Sequence, residues 1–223
     1  MIILIGGEKG GTGKTTIATN LATNCKLEGK DIILIDTDKQ GSASSWVATR
    51  QFNQIKPEIS SVQKFGNNLH SQVLDLSKRY EEVIIDAGGR DSMELRSAMT
   101  VAHKFYVPIQ ASQFDIWTLG LIDRLVADVK VVNPNIKTYI ILNRGSTNPS
   151  VNEVEEAKEV IMEFENLNLS ECVVRDRIAY RKAAKTGFSV FEVDKKDDKA
   201  CQEISNLYQE VYQNEPKSRT RSQ

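Results

Sequence analysis

Five short apolar runs, each ending at a polar residue, a proline or a glycine turn, constrain this chain more than any other feature. Residues 1–5 lead into a glycine-rich turn at 6–13, the run 32–35 stops at Asp36, 83–85 at Asp86, 105–107 at Pro108 and 139–142 at Asn143. Unbroken rather than alternating runs of β-branched residues suit strands covered on both faces, as in a parallel sheet. Helix-period patterns fill the gaps, from Lys14 to Glu28 with Gly29 as the stop signal, then at about 44–54, 67–80, 92–102, 115–133 and 151–165. This alternation predicts an α/β fold, doubly wound, with a mainly parallel sheet and helices on both faces. In such folds ligands bind beyond the carboxyl ends of the strands, and those are the positions where this chain places Gly, Asp and Asn.

Composition removes several classes. The 223 residues, 40% hydrophobic and 26% charged, are those of an ordinary globular protein rather than a disordered or collagen-like one. No apolar run approaches the ~18 residues needed to cross a bilayer, and residues 1–5 are too short and lack the basic flank of a signal peptide. The cytoplasm is therefore the expected compartment. Cys25, Cys172 and Cys201 are odd in number and widely spaced, neither a disulfide framework nor a C-x-x-C metal site, and are expected to be reduced and buried. A net charge of −1 argues against a surface coated all over with basic residues. The domain reads as continuous over 1–213, ending in an amphipathic helix from Lys199 to Tyr212, and 214–223 as a polar, basic, disordered tail.

The segment Glu8-Lys9-Gly10-Gly11-Thr12-Gly13-Lys14-Thr15-Thr16 follows the first strand and opens the first helix. Three glycines let the backbone wrap an anion so that successive N–H groups and the helix N-terminus point at phosphate oxygens. Lys14 supplies a charge for the β- and γ-phosphates, the Thr15 hydroxyl suits Mg²⁺, and Thr16 can reach the α-phosphate. The usual G-x-x-x-x-G-K-[ST] pattern would have glycine where this chain has Glu8, and there is a second lysine, Lys9.

Lys-Gly-Gly-x-Gly-Lys-Thr is the deviant Walker A motif, and the chain closely resembles the ParA/MinD group of P-loop ATPases, with small plasmid-partition ParA proteins most alike. The resemblance continues in Asp36-Thr37-Asp38-Lys39-Gln40-Gly41-Ser42, similar to the group's switch segment although Lys39 stands where proline is common, and in the run from Ile84 to Ser92, similar to a Walker B strand and switch loop. It spans most of 1–193. The resemblance implies a P-loop NTPase fold of the deviant Walker A type, ATP and Mg²⁺ as cofactors, and hydrolysis of ATP to ADP and phosphate. ATP would be held by Lys9, Gly10, Gly11, Thr12, Gly13, Lys14, Thr15 and Thr16. Asp86 would hold Mg²⁺ through a water, with Thr15 on the metal and Asp36 one step further out, while Asp38 would position the attacking water. Strand-end aspartates that merely cap the next turn are the alternative.

Lys9 would reach across a twofold interface to the partner's nucleotide, making Lys9, Lys14 and Asp38 the catalytic set of an ATP-bound homodimer; a solvated lysine is the alternative. Asn143 stands where the group commonly hydrogen-bonds adenine, and an amide suits that base, but turning the chain into Gly145 is an equal reading. Gln110 to Asp115 would line the nucleotide or the dimer interface, and Phe114 and Trp117 read as packing residues.

Residues 170–190 carry Arg175, Arg177, Arg181, Lys182 and Lys185 against Glu171 and Asp176, a local net charge of +3. The stretch is similar to the part of ParA proteins that contacts DNA without sequence preference; a solvated helix face is the alternative. The resemblance thus implies a DNA-partition ATPase, nucleoid-associated when ATP-bound, that takes sequence specificity from a centromere-binding ParB-like adaptor. With the motif starting at residue 9, no N-terminal helix-turn-helix is expected. The competing reading is a MinD-like or other cargo-positioning ATPase that does not act on DNA. Against a MinD-like membrane helix, the last helix carries Glu203 and Glu210 and no bulky apolar residue follows it, so no membrane partner is expected.

Overall fold

The computed structural model describes residues 1–89, 91–110, 116–147 and 153–212, apart from the side chains of 116, 117, 153 and 154. The chain runs β1 (Ile2–Gly7), α1 (Lys14–Leu27), β2 (Ile32–Asp36), α2 (Ser42–Phe52), β3 (Ser60–Gln63), α3 (Leu69–Ser77), β4 (Glu82–Gly89), α4 (Met93–Met99), β5 (Lys104–Gln110), α5 (Ile116–Lys130), β6 (Lys137–Gly145), α6 (Glu153–Ile161), β7 (Asn168–Arg175), α7 (Ile178–Lys185) and α8 (Asp198–Tyr212). The strands form one sheet in the order β3-β2-β4-β1-β5-β6-β7. Every pairing is parallel, as the unbroken apolar runs required.

Alternation along β1 shows why these strands are apolar at every position. Ile2 and Leu4 pack with Leu69 and Val73 of α3, Leu95 of α4 and Val126 of α5; Ile3 and Ile5 pack on the opposite face with Ile17 and Leu21 of α1, Trp46 of α2 and Ile204 of α8. Each face of the sheet thus has its own core, and each fully buried Ile or Leu contributes about 1.5–3 kcal/mol of transfer free energy.

The predicted helices form with ends displaced by two to four residues in several cases, which is the usual uncertainty where helix ends fray. Gly29, at φ 80°, does close α1. Two strands and a helix are additional to the expected elements. Short β3 alternates half-buried and exposed residues, and β7 mixes Ser170, Glu171 and Cys172 into its run. Both are edge strands, so neither needs apolar residues throughout. α7 arises within the basic stretch, burying Tyr180 and Ala183 while most of its length faces water. Of the cysteines, only Cys25 is fully buried; Cys172 and Cys201 are half-buried, which corrects that expectation, and all three are free thiols. The tail beyond 213, as well as 111–115 with Phe114 and the Trp117 side chain, lies outside the described residues.

Candidate nucleotide site

β1 lies at the centre of the sheet between β4 and β5, where the strand order reverses, and the loop 8–13 emerges from it. Gly11 and Gly13 adopt φ of 75° and 91°, a left-handed region open to glycine at little cost. A side chain at Gly10 or Gly11 would meet nothing within 4 Å, so these peptide groups border open space, whereas one at Gly13 would stand 2.1 Å from Asn143 Nδ2. The first turn of α1 follows directly and leaves its N–H groups aimed at the same space.

Lys14 folds inward and donates from Nζ to the carbonyl of Lys9 at 2.7 Å. Burial lowers its pKa, an effect opposed by the carboxylates of Asp86 and Asp38. Thr15 Oγ1 donates to Asp86 Oδ2 at 2.6 Å. Asp86 is only 1% exposed, and its Oδ1 is buried with no hydrogen-bond partner. Burial pushes this carboxyl up to about 7, helped by the charges of Asp36 and Asp38 and resisted by Thr15 and Lys14.

Asp36 Oδ2 accepts from the N–H and hydroxyl of Ser44 at 2.8 and 2.9 Å, which fastens the first turn of α2 to the end of β2. Its Oδ1 accepts from the N–H of Asp38 at 3.1 Å. Asp38 accepts from the N–H of Gln40 at 2.9 Å, and its carboxyl lies 3.1 Å from where a Cβ on Gly88 would be. Gly89 packs against the loop so closely that a Cβ there would come within 3.0 Å of Gly10 N. The end of β4 is therefore in direct backbone contact with the loop 8–13. The Lys9 side chain is half-buried beside it.

The residues fit a nucleotide with Mg²⁺. An orphaned carboxylate oxygen beside a threonine hydroxyl, among three aspartates and one buried lysine, is a place that gains from a divalent cation or its water. Among the described residues no three His, Cys, Asp or Glu side chains are grouped to hold a metal alone. A Mg²⁺ at Thr15 would take the rest of its shell from phosphate oxygens and water, as this ion usually does.

Asn143, 4% exposed, donates from Nδ2 to the carbonyl of Thr12 at 2.5 Å, and Gln110 donates to the carbonyl of Gly11 at 3.2 Å. Both side chains brace the loop from the ends of β6 and β5. Of the basic residues, Arg177 is bound to Glu203 of α8 at 2.8–2.9 Å, and Arg175 donates to the carbonyl of Ser146. Arg181, Lys182 and Lys185 are exposed on α7, with Arg181 in a surface pair with Asp176 at 2.7 Å. Neither Ser44 nor the pairing of Glu203 with Arg177 was expected from the sequence. A serine in the first turn after a switch aspartate was a readable signal for Ser44, but nothing local marks Glu203, which lies 26 residues from Arg177.

Residues 3–190 match the CobQ/CobB/MinD/ParA nucleotide binding domain. The chain belongs to this family. It is 27% identical over 207 residues, 91% of this chain and 92% of the relative, to the maintenance of carboxysome distribution protein A of Halothiobacillus neapolitanus. It is 26% identical to the chromosome partitioning protein ParA of Myxococcus xanthus, covering 77% of each chain. Among solved structures it is similar to the septum site-determining protein MinD complexed with Mg-ADP from Pyrococcus horikoshii, with a TM-score of 0.71 at 18% identity, covering 95% and 96%. The fold is that of the ParA/MinD P-loop nucleotide hydrolases.

Proposed function

We propose that the protein is an ATPase that dimerises on ATP, binds DNA without sequence preference as the dimer, and uses hydrolysis to release it, so distributing a cargo on DNA. The observation that carries the enzymatic half is the convergence of Lys14, Thr15, Asp86, Asp36 and Asp38 on the loop at the ends of three neighbouring strands. Phosphoryl transfer asks chiefly for charge neutralisation and an aligned water. In this reading Gly10, Gly11, Thr12, Gly13 and Thr16 hold the phosphates and Lys14 swings from the Lys9 carbonyl onto them. Thr15 and Asp86 hold Mg²⁺, which when bound neutralises charge on the β- and γ-phosphates. Asp36 orients the metal's surroundings while anchoring α2, Asp38 aligns the water, and Asn143, from the end of β6, reaches the adenine side of the cleft. Lys9 acts in the partner's site.

The DNA half is supported by the exposed row Arg181, Lys182 and Lys185. Arg175 and Arg177, committed to Ser146 and Glu203, serve it indirectly by holding α7 in place. A dimer doubles the phosphate contacts, so a modest charge per subunit makes binding depend on the ATP state. Residues 1–213 act as one domain in this scheme, cytoplasmic and nucleoid-associated with ATP. Among the described residues no helix is long and apolar enough to cross a membrane.

A partition complex held through a ParB-like centromere-binding adaptor is the cargo that fits the ParA likeness. The near full-length similarity to a carboxysome distribution protein favours a second reading in which the cargo is a protein assembly with its own adaptor. Retention of random-sequence DNA with a slowly hydrolysed ATP analogue against ADP, across a salt series, tests the shared mechanism. Retention that requires the analogue, falls with salt and is lost in Lys182→Glu with Lys185→Glu is the expected result. Retention indifferent to nucleotide, or intact in that double variant, overturns the DNA half.

A further inference from the structure

One face of α2 carries donors at 46, 50 and 53, spaced i, i+4, i+7, and all of them reach one short segment. Trp46 Nε1 donates to the carbonyl of Phe188 at 3.2 Å, Arg50 Nη1 to that of Gly187 at 3.1 Å and Asn53 Nδ2 to that of Thr186 at 3.0 Å. These carbonyls form the turn that ends α7, where cationic and N–H donors are favoured by the helix dipole. Arg50, 1% exposed, also grips both carboxylate oxygens of Glu192 at 2.8 and 2.5 Å. Gly187, at φ 79°, lets the backbones touch; a Cβ there would lie 2.6 Å from Arg50 N. Asn20 of α1 holds the same segment from the other side by accepting from the N–H of Val190 at 3.0 Å.

The opposite end of α2 is tied to the nucleotide site. Ser44 is bound to Asp36, and Gly41 N donates to the carbonyl of Asp38 at 2.9 Å. From Ser44 to Asn53 the helix is about 14 Å long at 1.5 Å per residue. One rigid rod therefore has the metal-side aspartates at its head and the end of the basic helix α7 along its flank. Close-packed protein interiors are little compressible and transmit strain.

We infer that α2 is a lever, with Trp46, Arg50 and Asn53 as positioning residues, that passes the nucleotide state of Asp36 and Asp38 to the exposed row on α7. The inference deepens the proposed function and rests on it for the role of α7. Coupling between two sites typically spans about 5- to 150-fold in affinity and is reciprocal.

The test uses the full chain with Trp46→Phe and Asn53→Ala combined, which removes two of the donors and leaves the Arg50–Glu192 pair that holds the segment. Backbone amide exchange over 178–192 is followed with Mg²⁺ and either ADP or a slowly hydrolysed ATP analogue, alongside DNA retention and nucleotide affinity without DNA. In the parent protein the analogue should change protection over 178–192. In the variant that change should fall to a small fraction and the analogue-to-ADP ratio of DNA affinity should drop by at least about fivefold, with nucleotide affinity unaltered. If the combined variant melts early, Asn53→Ala alone is read in the same way. No analogue-dependent change over 178–192 in the parent, or an unchanged one in the variant, overturns the lever. Loss of the exchange response in the variant, in a protein whose Lys182→Glu and Lys185→Glu form still binds DNA, would sustain the lever and remove the DNA reading alone.

Discussion

The carboxyl of Asp86 accepts one hydrogen bond from Thr15, leaves Oδ1 without a partner and is opposed by Asp36 and Asp38. A buried acid in such company destabilises the nucleotide-free fold and is kept for what it will hold. Asp86→Asn should therefore raise the melting temperature of the protein without Mg²⁺ or nucleotide while lowering steady-state ATP hydrolysis by at least about a hundredfold, a typical loss for a preorganised electrostatic group. A lowered melting temperature would contradict the charge conflict. Gly13 is constrained differently, by its φ of 91° and by Asn143 Nδ2 at 2.1 Å from a would-be Cβ. Gly13→Ala should cost about 1–3 kcal/mol of stability in a denaturant melt and weaken nucleotide binding, because the loop must open to admit the methyl group. For Lys9 the proposed role in the partner's site predicts that Lys9→Ala still binds ATP but fails to form the ATP-induced dimer; light scattering of the variant with a slowly hydrolysed analogue decides it.

At the scale of elements, α2 and the turn after α7 are joined by the Arg50–Glu192 pair, whose side chains are 1% and 9% exposed. Removing one partner of a buried pair leaves the other charge without compensation, at a typical cost of 3–5 kcal/mol. The expected loss for Arg50→Met, read from urea midpoints, is about 3 kcal/mol, since Glu192 keeps the hydrogen bonds from Ser189 N–H and hydroxyl at 2.9 Å. By contrast, breaking the surface pair Lys78–Asp75, 73% and 64% exposed, should leave the urea midpoint essentially unchanged, because solvent screens both charges. The two pairs look alike as distances; burial decides their weight.

Over the whole molecule, groups remote from the loop 8–16 add to the pH dependence that Asp86 brings. His103 Nδ1 accepts from the N–H of Ile2 at 3.0 Å, and partial burial, with the nearby Met1 amino group, lowers its pKa below 6.5 against the raising influence of Glu82. The folded chain thus prefers neutral His103, so the unfolded chain takes up the extra proton as pH falls through 6.5 and stability drops on the acid side. Asp86, pushed up to about 7, titrates in the opposite sense over this range. Melting temperatures of the Asp86→Asn protein at pH 5.5 and 7.5 should therefore show the His103 drop, and adding His103→Gln should flatten it. Burial pushes Cys25 and Cys172 up to about 12 each. Their contribution is complete below pH 9, where the unfolded thiols begin to ionise, and is lost as pH rises from 9 towards 12. Below pH 9 both should be alkylated far more slowly in native protein than in urea.

How much could be read without coordinates follows from the range of each interaction. The apolar runs at 2–5, 32–35, 83–85, 105–107 and 139–142 determined the parallel sheet and its helices, because strand burial acts through neighbours in sequence, and the glycine loop with the aspartates at 36, 38 and 86 is the local signal on which the proposed nucleotide site rests. β3 and β7 escaped that reading because an edge strand is half-wet and needs no unbroken apolar run. Charge alone could not sort the basic residues of 170–190. Glu203 takes Arg177 from 26 positions away, while Lys182 and Lys185 stay exposed on α7. Nor could the pattern at Trp46, Arg50 and Asn53 announce its partner 133 to 142 residues downstream. Those pairings depend on which surfaces the sheet order brings together, and only the tertiary structure decides that.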